Sequence, residues 1–153
     1  QNDMWRIFGL IFFSDKNHFL DLPNKNFKES QIREFLSQAG IGIFDTAYQI
    51  KRLQGNASDK FLEIVTPTDL SALLEQIPMC NTIMTTGDKA TDTLMQHFPD
   101  QPVKPMIGQS VQVNYDNREL SLYRLPSSSR AYPLALEKKA DIYKQFFQQI
   151  GLV

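Results

Sequence analysis

From Met4 to Phe13 the chain is apolar on nearly every helical face, broken only by Arg6, and this predicts a buried helix. Gly9 inside it weakens the local preference by about 1 kcal/mol relative to Ala. Residues 14–25 turn polar, with Pro23 and Asn24, and read as a loop. Asn26 with Glu29 three residues on is an N-cap signal; Ile32, Phe35, Leu36 and Ala39 then fall at helical spacing before Gly40, which predicts a helix over 27–39. Ile41 to Phe44 is a short apolar run between turn signals and predicts a buried strand ending at Asp45. The stretch 49–59, with Lys51, Arg52, Gly55 and Asn56, reads as an exposed, partly basic loop.

The second half of the chain alternates. Thr66, Pro67 and Asp69 signal a helix start, Leu70, Leu73, Leu74 and Ile77 share one face, and Pro78 closes the helix. Thr82 to Thr85 predicts a strand, Gly87 a turn, and Ala90 to Phe98 a helix stopped by Pro99. Val111, Val113 and Tyr115 alternate, Asp116 and Asn117 turn the chain, and Leu120 and Leu122 alternate again: a hairpin. A last helix, starting near Leu134, buries Leu136, Ala140, Tyr143, Phe147 and Ile150. Strand and helix in this order make a three-layer α/β/α sandwich with a small, mostly parallel central sheet. No internal repeat or low-complexity tract interrupts it.

At 153 residues, 42% of them apolar, the chain suits a single domain, 1–153, around one core. The net charge of -1 supplies no global positive field for nucleic acid, so any DNA-binding surface must come from local clustering. Lys51, Arg52, Arg124, Arg130, Lys138 and Lys139 are the residues that would have to gather. Cys80 is the single cysteine, and with only His18 and His97 it makes no convincing zinc site; metal-free cytoplasmic chemistry, no cofactor and a monomer are the expectations. No apolar run of membrane-spanning length occurs, and the apolar start lacks a basic leader, so no membrane association is expected.

Chemistry concentrates between Tyr123 and Lys139, YRLPSSSRAYPLALEKK. Leu125 and Pro126 end a strand, and Ser127, Ser128 and Ser129 then offer hydroxyls and backbone amides ahead of the last helix, a setting friendly to anions. The same serines also suit turn and cap hydrogen bonds in a plain polar loop. Leu-Pro-Ser-Ser-Ser followed by Arg130 resembles the second signature loop of the uracil-DNA glycosylase superfamily, closest to its hypoxanthine-DNA glycosylase and mismatch-specific, thymine-DNA glycosylase-like branches. Leu136-Glu137-Lys138 falls at the spacing of the mismatch-specific enzymes. Asn2-Asp3-Met4-Trp5 looks like the Asn-x-Phe-Trp segment of the hypoxanthine branch, and Gly40-Ile41-Gly42-Ile43-Phe44-Asp45 is similar to its Gly-Ile-Ala-Leu-Trp-Asp strand.

That resemblance implies a base-excision repair enzyme that hydrolyses the N-glycosidic bond of a deaminated base, hypoxanthine or uracil, after flipping it from DNA carrying a damaged or mismatched base. It assigns catalysis to Asn2, base contacts to Asp45 and Trp5, and DNA contacts to Ser127, Ser128, Ser129 and Arg130. Asn2 serves equally as a helix cap, and Asp45 equally as a cap at a strand end. Asp45 accepts from a base N-H but donates to a carbonyl only when protonated, which departs from uracil reading by Asn. The catalytic histidine of the classical uracil enzymes is replaced by Leu125. The superfamily's first signature, Gly-x-x-Pro-Gly, does not occur; with Gln at position 1, the expectation is that a first strand and that loop lie upstream. The alternatives are a catalytically silent nucleic-acid-binding module on the same fold and a small-molecule α/β enzyme using the serine loop alone. Gly40 and Gly42 fit neither a dinucleotide nor a Walker phosphate loop.

Overall fold

Apolar helices at the two ends of the chain build one core, and alternating strands between them build another. The structure, a computed structural model, describes residues 2–45, 47–52, 62–100 and 103–153, without side-chain detail for 47–52 and 62–67. The chain forms two units, residues 1–44 with 128–153, and residues 45–127. Its class is mixed α/β.

In the first unit, helix α1 (Met4–Phe13) and helix α5 (Leu136–Gln149) pack through their aromatic faces. Phe8 meets Phe147 edge-on at 5.5 Å, Phe12 meets Phe147 at 5.0 Å, and Phe35 reaches Phe12 at 4.8 Å from helix α2 (Glu29–Ala39). Such pairs each contribute about 0.5–1.5 kcal/mol beyond the area they bury. Ile7, Ile11, Phe19, Ile32, Ala140, Tyr143 and Phe146 complete this core. Gly9 has a packing reason: a Cβ there would stand 2.3 Å from the Asp15 carbonyl oxygen, so the chain leaving α1 folds back against bare backbone. A short antiparallel pair, β1 (Leu20–Asp21) with β2 (Asn26–Phe27), precedes α2.

The second unit contains an antiparallel pair, β3 (Ala47–Arg52) with β4 (Leu62–Pro67), and a three-stranded sheet in the order β5-β7-β6, formed by β5 (Thr82–Thr86), β6 (Ser110–Tyr115) and β7 (Arg118–Leu125). β5 runs parallel to β7 and β6 antiparallel to it, so this sheet is mixed rather than mostly parallel. Asp116 and Asn117, both at positive φ (50° and 63°), make the tight turn whose twist suits a two-residue hairpin. Helices α3 (Leu70–Gln76) and α4 (Asp88–Met95) supply Leu70, Leu74 and Leu94, which with Phe98 cluster with Val113, Leu120 and Leu122 of the sheet. Asp69 caps α3 by accepting from the Ala72 amide at 3.1 Å.

Several expectations are corrected. The predicted strand Ile41 to Phe44 has no regular structure, and Phe44 is 56% exposed. Asn26 lies in β2 and its side chain accepts from the Phe27 amide, so Lys28 rather than Asn26 precedes α2. Thr66 and Pro67 close a strand instead of opening a helix, and Ile77 is exposed beyond the end of α3. The expected loop over 49–59 begins as strand through Arg52; its remainder lies outside the described residues. α1, the hairpin and α5 fall where the pattern put them, α5 starting at Leu136.

Candidate nucleic-acid site

The serine loop and the N-terminal segment, at opposite ends of the sequence, lie side by side. Asn2 and Ser129 form an isolated antiparallel bridge, and the Asp3 amide donates to the Ser128 carbonyl at 2.8 Å. Asn2 is exposed, and its Oδ1 accepts from the Met4 amide at 2.8 Å, which fixes the carboxamide at the head of α1. Asn2 thus stands one residue before the N-cap position, which Asp3 occupies, rather than in it, and its backbone lies beside the serine loop. The Met4 amide is one of the orphan donors of the first turn, and the Asn2 carboxamide satisfies it.

Asp3 is only 8% exposed and carries the charge of this corner. Arg130 Nε donates to its Oδ1 at 2.8 Å, and Arg6 Nε lies 4.0 Å from the same oxygen. The Arg130 side chain keeps 42% of its surface in solvent while paired with Asp3.

The three serines divide their tasks. Ser128 is 2% exposed, and its side chain is hydrogen-bonded to the buried Tyr143 phenol of α5, whose pKa burial pushes up while that hydrogen bond opposes the rise. As placed, it is a support of the loop and not a phosphate contact, because a buried hydroxyl with an internal partner reaches no ligand. Ser129 accepts twice at its carbonyl, from the Tyr132 amide at 3.1 Å and Lys139 Nζ at 2.8 Å, while its Oγ accepts from the Ala131 amide at 3.2 Å. Ser127 is half-buried in the second unit, beside Gly87, where an added Cβ would meet the Ser127 Cβ at 3.4 Å; Gly87 also stands at φ 106°, a conformation that side chains avoid.

Lys139 corrects the expected basic cluster. It is 2% exposed, under the serine loop, with its Nζ 5.8 Å from the Tyr132 ring centre. Burial lowers its pKa, and the charge of Asp3 opposes that fall. Arg124 is likewise committed inward: it donates to the Pro105 carbonyl at 3.2 Å and to Asp88 Oδ1 at 3.0 Å. Asp88 is held below the usual carboxylate range, first by its hydrogen bond from Lys104 and further by the nearby Lys104 and Arg124 charges, while Lys104 is raised by its bonds to Asp88 and Asp92. The side chains of Lys51 and Arg52 lie outside the described residues.

The remaining predicted residues make other contacts. Trp5 is half-buried and packs edge-on against Phe8 at 5.5 Å and Phe19 at 6.2 Å, inside the aromatic core. Asp45 belongs to the second unit, is exposed, and accepts at its carbonyl from the Thr68 hydroxyl. Burial lowers the His97 pKa, with the Asp69 charge opposing. Among the described residues no group of three or more His, Cys, Asp or Glu side chains is placed to hold a metal ion, and no helix is long and apolar enough to cross a membrane.

Sequence reasoning missed Asp3, Tyr143 and Lys139 as parts of this corner. The available signal was helical spacing: Leu136, Lys139, Ala140, Tyr143 and Phe147 lie on one stripe of α5, and a lysine within a buried stripe needs a polar partner. Comparison with protein families, with curated proteins and with solved structures gives no match.

Proposed function

We propose that this chain is a DNA glycosylase-like base-excision repair domain that hydrolyses the N-glycosidic bond of hypoxanthine or uracil after base flipping. The observation that carries the reading is the bridge between Asn2 and Ser129: the two segments that resemble family motifs are 127 positions apart (129 − 2 = 127) and meet backbone to backbone. On this reading the fold is the three-layer α/β/α sandwich of the uracil-DNA glycosylase superfamily, and the partner is DNA carrying a damaged or mismatched base.

The chemistry follows from the donors and acceptors at hand. Breaking the glycosidic bond by single displacement requires water held beneath the anomeric carbon and stabilisation of charge on the departing base. With Oδ1 fixed by the Met4 amide, the Asn2 carboxamide keeps a second lone pair for a water proton and two Nδ2 donors for the base or the water. Ser129 carries the loop past it, and on this reading Arg130, tethered to Asp3 and 42% exposed, contacts a flanking phosphate or fills the gap left by the flipped nucleotide. Neither a metal nor a covalent nucleophile is required.

The test uses the complete protein on labelled duplexes carrying uracil, hypoxanthine, xanthine or a G·T mismatch, followed by alkali. Alkali-labile strand breaks at the deaminated base are expected. Absence of breaks on every duplex overturns the reading, and salt-sensitive DNA binding without excision would assign the chain to the silent binding module instead.

A further inference from the structure

The buried lysine under the serine loop has no place in the chemistry above, yet its position is costly. A buried ammonium gives up much of its hydration, and a well-packed apolar residue of similar volume commonly does as well or better. Leu or Met at position 139 would continue the stripe made by Leu136, Ala140 and Tyr143 without that cost. What the ammonium adds is a charge-assisted hydrogen bond to the Ser129 carbonyl at 2.8 Å, and it makes that bond from the residue four positions before Tyr143, whose phenol holds Ser128. Lys139 and Tyr143 thus stand one above the other on α5 and grip consecutive residues of the loop. On its other side the loop is joined to Asn2 by the bridge and to the Asp3 amide through the Ser128 carbonyl. The lowered pKa of Lys139, with Asp3 opposing the fall, agrees with a cation held in this corner against its hydration.

We propose that Lys139 is a positioning residue: by holding the Ser129 carbonyl it sets the serine loop, and through the Asn2–Ser129 bridge it sets the Asn2 carboxamide. This rests on the glycosylase reading for its catalytic consequence, but not for its structural one. The ammonium fixes geometry and takes no part in bond breaking.

Lys139→Met in the complete protein, with amide hydrogen exchange and excision kinetics measured in parallel, tests it. The variant is expected to melt within a few degrees of the wild type, since the lost bond is offset by relief of a buried charge. Exchange of the Asp3 and Tyr132 amides, which donate to the Ser128 and Ser129 carbonyls, is expected to speed by about tenfold or more, with amides in the core of α1 unchanged. On a duplex that the wild type cuts, kcat is expected to fall by about 10- to 100-fold with KM changed less than about threefold, the pattern of a displaced catalytic group rather than lost binding. Lys139→Arg, which keeps the cation, is expected to recover part of both losses. Unchanged exchange at Asp3 and Tyr132, or an unchanged kcat, overturns the proposal. If the wild type excises nothing, the glycosylase reading has failed and exchange alone decides the role of Lys139. If Lys139→Met does not fold, Lys139→Gln, which keeps a neutral donor, is read by the same two measurements.

Discussion

Two charged corners of this molecule use the same residue types to opposite ends. In the first unit, Asp3, Ser128 and Lys139 are buried and each side chain is tied to a specific partner: the Asp3 carboxylate to Arg130 Nε, the Ser128 side chain to the Tyr143 phenol, and Lys139 Nζ to the Ser129 carbonyl. In the second unit, Asp88, Asp92, Lys104 and Arg124 form an ion-pair group around the start of α4 in which Asp88 is 65% exposed and its bonds run mostly between side chains. Exposed pairs are screened by water and salt and typically contribute less than about 1 kcal/mol, whereas removing one partner of a buried pair leaves an uncompensated charge. The first corner therefore fixes geometry, and the second decorates a helix start.

The largest expected effect is on rate. Asn2→Ala should lower excision by about 100- to 1000-fold, the scale of losing one preorganised polar group, while costing only about 1 kcal/mol of stability through the lost bond to the Met4 amide. Thermal melting beside single-turnover rates checks both halves; a fall in rate matched by a collapse in melting temperature would make Asn2 structural only. Next, Asp3→Ala should cost about 2–3 kcal/mol in denaturant melts, because it strips Arg130 of its anchor and Lys139 of its nearby charge. A loss under 0.5 kcal/mol, on the order of a surface change, would erase the distinction between the two corners.

Lys104→Met should cost less than about 1 kcal/mol at neutral pH, and less again in high salt. Its pH dependence has a fixed sign. The folded Asp88 pKa lies below the ordinary 3.8, so its stabilisation is full above that value and is lost as pH falls through the folded pKa. The folded Lys104 pKa lies above the ordinary 10.5, so its share is full below that value and is lost as pH rises through the folded pKa. Wild type and variant should thus converge in stability at both extremes, as denaturant melts across pH would show. The smallest effect is at the hairpin: Asn117→Gly, at φ 63°, should change stability by less than about 1 kcal/mol in denaturant melts, because relief of the positive φ is offset by the greater unfolded-chain entropy of glycine.

The sequence displayed periodicity better than burial of polar groups. The apolar stripe of α1, the Asp116-Asn117 turn and the stripe of α5 were legible because each rests on local chemistry. Ile41 to Phe44 was not: four apolar residues between turn signals satisfy a buried strand and an exposed segment equally, and only tertiary pairing decides. The order β5-β7-β6, with the hairpin's second strand in the middle beside β5, escaped for the same reason, since strand order is not written in any one strand. Of the candidate site, Asn2, Ser129 and Arg130 were legible as motif residues. Their supports were hidden, because Lys139 read as one more surface cation beside Lys138 until α5 placed it inward.

The most direct test of the glycosylase reading is a single-turnover comparison of the complete wild-type protein and its Asn2→Ala variant on one uracil and one hypoxanthine duplex, with abasic sites counted over time. The account predicts excision by the wild type and a loss of about 100-fold or more in the folded variant. Equal rates would remove Asn2 from the chemistry, and no excision by the wild type from either duplex would contradict the account itself.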